Sequence, residues 1–246
     1  VNPPVKRPGA ALRCDKPWDA FSLGWYSIVE DGGMYKMWYY GADRDPRRTI
    51  VEGEVAPVSN MTPYVLPAGS PQVSRPEPGK QRLCYAVSQD GFNWEKPSLG
   101  LVEFEGSKNN NIVHEDFRLA YVFIDPHGKT EERFKMVHWT GPGIRVETSP
   151  DGLHWDQPSH EVSTLAPDTQ KMAWWEPRLN KYVAYFRVGV REDSTPPFPF
   201  VEPIESDPPV VAPKLMRPGR AVGRVEVDDI LAPWPEEDIR TVFTAD

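Results

Sequence analysis

The side chains with the most chemical potential in this sequence are carboxylates and aromatic rings, and they recur in similar settings. Asp19, Asp116 and Asp168 each stand shortly before an apolar run: Trp25 to Val29, Leu119 to Ile124, and Met172 to Trp175. Gln170 lies two residues beyond Asp168, so on an extended chain the two share a face. Trp25, Tyr26 and Trp174 add flat apolar surfaces within those runs. Other chemistries fit less well. His114-Glu115-Asp116 has metal-ligand residue types, but three adjacent residues on a strand point to alternating faces and do not converge. His138 and His154 fall in strand and turn contexts that suit packed or solvated rings. Gly141-Pro142-Gly143 reads as a turn rather than a phosphate cradle. No Ser-His-Asp grouping has a recognisable local context, and no cofactor or metal is implied. Cys14 and Cys84 are too few for a disulfide scaffold, and one disulfide or two free thiols both fit the count.

The elements that must position these residues are strands. With 28 Pro and 18 Gly in 246 residues, a helical bundle or coiled coil is disfavoured. Nine Trp, nine Tyr and ten Phe supply the anchors that disordered chains lack. A net charge of -8 leaves no basic footprint for nucleic acid. No run of 18 apolar residues spans a membrane. An aromatic-rich, mostly β domain remains.

Internal repeats give that domain its order. Cys84-Tyr85-Ala86-Val87-Ser88-Gln89-Asp90-Gly91-Phe92-Asn93-Trp94 returns 61 residues later as Arg145-Val146-Glu147-Thr148-Ser149-Pro150-Asp151-Gly152-Leu153-His154-Trp155. A worn copy runs from Gly223 to Trp234, with Asp229 in the glycine position and the Trp displaced. In Asp-Gly-x-x-Trp the Asp can bond amides of its own turn and the Gly supplies positive φ. The Trp then covers the hairpin, so Trp94 and Trp155 are expected to be largely buried. Before each unit comes a strand-like segment: Met34 to Tyr40, Phe134 to Trp139, and Tyr182 to Arg187. Strand, turn, strand, loop, strand and Asp-Gly turn is the layout of a propeller blade. Expected bounds are about 20–97, 112–158 and 168–234, with proline-rich insertions at 42–80 and 188–220 forming loops on one face, either low-complexity linker or a rim or lid. Three blades do not close a ring, so further blades are expected after Asp246. The absence of an initiator Met before Val1 suits the same expectation of a longer protein.

Asp31-Gly32-Gly33-Met34-Tyr35-Lys36-Met37-Trp38-Tyr39, the Cys84–Trp94 unit, Gly106-Ser107-Lys108-Asn109-Asn110-Asn111-Ile112-Val113 and Trp175-Glu176-Pro177-Arg178-Leu179-Asn180-Lys181-Tyr182 together resemble bacterial glycosidase-like five-bladed β-propellers. That superfamily includes glycoside hydrolase families 32, 43, 62 and 68. The resemblance implies an all-β, five-bladed fold of which about three blades are present. It also implies a central cavity with carboxylates from the first three blades. Two carboxylates flanking a glycosidic bond are what its hydrolysis needs, one of them kept protonated by a drier setting. On this sequence those positions fall to Asp116 and Asp168, with Asp19 at the rim, because the run Trp25 to Val29 holds no acid. The superfamily's usual Asn-Asp-Pro or Ala-Asp-Pro start is missing. Glu176, beside the hairpin, reads as a turn residue. Trp25, Tyr26 and Trp174 would stack on a sugar ring and Gln170 would hold a hydroxyl. The implied activity is hydrolysis of an oligo- or polysaccharide. Non-catalytic carbohydrate binding and a purely structural or interaction role are the alternatives. Carbohydrate is the implied partner, with no nucleic acid or membrane, and a secreted or periplasmic location follows from the resemblance alone.

Overall fold

The computed structural model describes residues 9–20, 22–43, 80–115, 119–139, 143–156, 158–165, 167, 169–190 and 219–244. Among these residues twelve strands form three four-stranded antiparallel sheets, each a meander in chain order. The first holds β1 (Ser22–Asp31), β2 (Met34–Ala42), β3 (Gln81–Ser88) and β4 (Ile112–Glu115). The second holds β5 (Tyr121–Ile124), β6 (Phe134–Trp139), β7 (Ile144–Ser149) and β8 (His160–Ser163). The third holds β9 (Met172–Glu176), β10 (Lys181–Val190), β11 (Gly219–Val227) and β12 (Arg240–Thr244). The fold is all-β, and the strands expected near 25–29, 119–124 and 171–175 are the first strands of the three sheets. Among the described residues no helix is long and apolar enough to cross a membrane.

Each sheet takes its fourth strand from beyond the repeated Asp-Gly unit. The expected blade bounds therefore end before β4, β8 and β12. These strands are only four or five residues long, too short for a clear alternating pattern. The two proline-rich insertions fall between the second and third strands of sheets one and three, mostly outside the described residues.

The repeated turns have one geometry. Ser88 Oγ accepts from Gly91 N (2.9 Å), and Asp90 Oδ1 accepts from Phe92 N and Asn93 N, both at 2.8 Å. Ser149 and Asp151 repeat this with Gly152, Leu153 and His154, each at 2.8 Å. Gly91 and Gly152 adopt φ of +73° and +79°. In the worn copy Asp229, standing in the glycine position, makes the equivalent bond itself, accepting from Leu231 N at 2.9 Å. Trp94 and Trp155 are mostly covered, packed against neighbouring apolar side chains of the core clusters. Both cysteines are free thiols, Cys14 exposed and Cys84 buried.

The sheets stack face to face in sequence. Trp38, Leu83, Tyr85 and Val113 of the first sheet pack on Val122, Phe134 and Met136 of the second. Phe123, Val137 and Val146 of the second pack on Ala173, Tyr182, Ala184 and Phe186 of the third. Trp38 Nε1 also donates to Gly152 O at 2.7 Å, latching the first sheet to the Asp-Gly turn of the second. The back of the first sheet is closed by its own chain. Leu12, Trp18, Trp94, Val102 and Phe104 cover Met37, Tyr39, Cys84, Ala86 and Ile112.

Candidate functional site at the sheet junction

The first strands β1, β5 and β9 lie next to one another, β1 against β5 and β5 against β9. Gln170 fastens them at one end. Its side-chain amide donates to Tyr26 O (3.1 Å) in β1 and to Ala120 O (3.3 Å) just before β5. A single residue ahead of the third sheet thus ties the other two. The carbonyls it meets belong to irregular backbone. The β1–β2 register shifts between Gly24 and Ser27, which is a bulge, and Trp25 there holds φ of +50°. Leu119, beside Ala120, holds φ of +59°. Positive φ at two bulky side chains is a strained arrangement that the surrounding structure must hold in place. Its result is that Trp25 and Tyr26, 42% and 47% exposed, stand out from the junction while Ser27 beside them is buried. Ser27 Oγ has no hydrogen-bond partner among the described residues.

Behind the junction lies a charged cluster that the sequence reading did not single out. Ala120 stands one step beyond the Tyr121–Val137 pair of the β5–β6 ladder, at the level of His138. His138 Nε2 lies 3.3 Å from Glu147 Oε1, with 1% and 2% of the two side chains exposed. Lys171, next to Gln170 in the chain, is fully buried, its Nζ 5.5 Å from the centre of the Trp139 ring. Burial pushes the His138 pKa down; Glu147 opposes the shift, and Arg145 and Lys171 add to it. His138 is therefore a neutral ring at neutral pH. The available signal was polar residues inside otherwise apolar strand segments. His138 in particular reads as an ordinary packed histidine from sequence.

The carboxylates distribute differently from one another. Asp19 is fully buried, so it does not reach a rim. Its Oδ2 accepts from Lys96 Nζ at 2.5 Å and from Tyr39 Oη at 2.9 Å, and Oδ1 accepts from Lys16 N at 3.1 Å. Asn111 donates through Nδ2 to Tyr39 Oη (2.8 Å) and accepts through Oδ1 from Trp18 Nε1 (2.6 Å). This network pins residues 16–19 to the back of the first sheet. Asp116 and Asp168 lie outside the described residues, though their chain neighbours Leu119 and Gln170 sit at the junction. Trp174 does not share the setting of Trp25 and Tyr26. It alternates with Ala173 and Trp175 along β9, faces away from the second sheet, and stacks on Tyr185 with centroids 5.3 Å apart.

Comparison with known proteins adds the following. No family model matches the chain. It is 26% identical over 169 residues to an uncharacterized protein of Mycobacterium tuberculosis, a stretch covering 68% of this chain and 44% of that protein. The chain thus spans less than half the length of that relative. Among solved structures, it is similar to an α-L-arabinanase mutant of Cellvibrio cellulosa, at 12% identity and TM-score 0.45 over 91% of this chain and 60% of that one. An exo-1,5-α-L-arabinanase from a bovine ruminal metagenomic library gives 9% identity and TM-score 0.45, over 90% and 60%. A structure from the GH130 family of mannoside phosphorylases gives 12% and 0.45, over 93% and 54%.

Proposed function

We propose that the three sheets are successive blades of a five-bladed β-propeller whose axial end acts on carbohydrate, with glycoside-hydrolase-like chemistry. The observation that carries this is the junction. Two exposed aromatic rings stand on a strained bulge that a hydrogen-bond bridge from Gln170 holds in place. Flat apolar rings suit the C–H face of a pyranose or furanose, and fixing them in advance lowers the ordering cost of binding. Asp116 and Asp168, two or three residues from the junction in sequence, are the proposed carboxylates for acid and base. Gln170, with its amide nitrogen already engaged, is a positioning residue in this reading.

A second reading is favoured by Asp19. Its carboxylate is occupied by Lys96 and Tyr39, so the third acid of the expected set is not available to a substrate. A sugar-binding propeller without turnover fits that observation. One experiment separates the two. The complete gene product is screened on a panel of nitrophenyl glycosides and on a glycan array, then compared with Asp168→Asn, which keeps size and removes the charge. Turnover lost with binding kept supports hydrolysis. Turnover unchanged in the variant rules out Asp168 as a catalytic residue, and binding without turnover in the native protein supports the second reading.

A further inference from the structure

The bulge that presents Trp25 and Tyr26 has a second hold besides Gln170. Among the described residues β1 is an edge strand, hydrogen-bonded within its sheet to β2 only. Gly24 faces Tyr40 and Ser27 faces Trp38, so Trp25 and Tyr26 together stand against one residue, Tyr39. Two residues against one is what bends a bulged strand, and the single partner is the fixed point from which the bend departs. The positive φ of Trp25 persists only where its surroundings over-determine it. The bond from Gln170 to Tyr26 O is solvent-exposed, a modest constraint by itself.

Tyr39, by contrast, is fully buried. Its hydroxyl donates to Asp19 Oδ2 at 2.9 Å and accepts from Asn111 Nδ2 at 2.8 Å. Asp19 Oδ2 accepts in turn from Lys96 Nζ at 2.5 Å. Lys96, with 5% of its side chain exposed, donates its other two protons to Arg13 O and Asp15 Oδ1, both at 2.7 Å. An ammonium has three protons, so this one is saturated. The main chains are close as well. A Cβ on Gly41, which faces Leu23 in the β1–β2 ladder, would lie 3.0 Å from Asp19 Cβ and 3.1 Å from Cys84 Sγ. Asp19 therefore sits hard against β2, at the level of the residues that lead into the bulge. With Asp19 fully buried and Lys96 saturated, the pair is out of a substrate's reach. What it can act on is Tyr39.

We infer that Asp19 and Lys96 are positioning residues of the aromatic platform: the buried pair fixes Tyr39, and Tyr39 fixes the bulge that turns Trp25 and Tyr26 outward. The inference rests on reading those rings as a carbohydrate platform, and it gives the first-sheet acid a role other than acid or base. Rings held this way meet a sugar already ordered. If the presenting conformation fell to about a tenth of the molecules, the apparent Kd would rise about tenfold.

Hydrogen exchange and glycan-array capture on the complete gene product test this together. Tyr39→Phe removes one oxygen and keeps the ring, cutting the link between the pair and the strand. Exchange at residues 24–27 should quicken about tenfold, and the apparent Kd for the best-captured glycan should rise by a similar factor. Lys96→Met leaves the Asp19 charge buried alone and should have at least as large an effect. Adding Asp19→Asn removes that charge, keeps an acceptor for Tyr39 Oη, and should restore much of the loss. Val102→Ala thins the same packed face without touching the network, and should leave both readouts native. Val102→Ala matching Tyr39→Phe at residues 24–27 means general loosening of the sheet and overturns the inference. Native exchange there in Tyr39→Phe does the same, as does quickened exchange with capture unchanged. Should Lys96→Met not fold, Tyr39→Phe decides. A native protein that captures no glycan overturns the carbohydrate reading instead, and exchange in Tyr39→Phe against Val102→Ala still decides whether the pair positions the bulge.

Discussion

Gly91 and Gly152 occupy the same position in the repeated turn, yet their surroundings make different demands. Both need positive φ, so either substitution by Ala strains the backbone. A Cβ on Gly91 would meet only the Tyr35 ring at 3.8 Å, an ordinary contact. A Cβ on Gly152 would lie 2.5 Å from Trp38 Cζ2 and 3.3 Å from Phe134 Cδ1. Gly91→Ala should cost about 1–2 kcal/mol from backbone strain alone. Gly152→Ala should cost about 3 kcal/mol or more, because overpacking between sheets adds to it. Denaturant titration of both variants checks the difference. The turn itself was legible in Ser-x-Asp-Gly, since its bonds are local. What rests on Gly152 was not, because Trp38 is 114 residues away in the chain. The same holds for the fate of Asp19: nothing near it in sequence announces Lys96 as its partner.

At the level of elements, the first strands were legible because their runs are rich in aromatic and β-branched residues. The junction they form was legible only in its membership. Trp25, Tyr26 and Gln170 were singled out, whereas the bond from Gln170 to two main-chain carbonyls depends on how three sheets meet. Gln170→Ala should lose about 1–2 kcal/mol by stranding those carbonyls. Gln170→Glu should lose more, since a carboxylate would face two acceptors. Hydrogen exchange around residues 24–27 should quicken in both, and equal stability of the two variants would argue against the bridge. The ion pairs between sheets carry a pH signature. Arg133, then Lys36, hold the Asp31 carboxyl down at about 2, below the ordinary 3.8. Between those values the unfolded chain binds the proton and the folded chain does not, so stability falls as pH drops from 3.8 to about 2. Asp151 falls in the same window: burial raises its pKa, and the bonds from His154, Leu153 and Ser149 outweigh that to bring it to about 2. Asp31→Asn should flatten part of the acid limb in a plot of unfolding free energy against pH. Its slope should be unchanged above pH 5, where Asp31 is ionised in both states.

For the molecule as a whole, the Trp38–Gly152 bond sets a timetable. The β1–β2 hairpin forms from neighbouring residues, but the indole of Trp38 finds its acceptor only after 114 further residues have been made. At roughly 5–20 residues per second, a ribosome takes about 6–23 s to deliver them. Through that interval the first sheet displays Trp38, Leu83 and Tyr85 with nothing on top of them. Nascent chains of this length are therefore the ones a chaperone would hold. Slowing translation between residues 115 and 152 should lengthen that exposure, whereas slowing it after Ser163, when the second sheet is complete, should not.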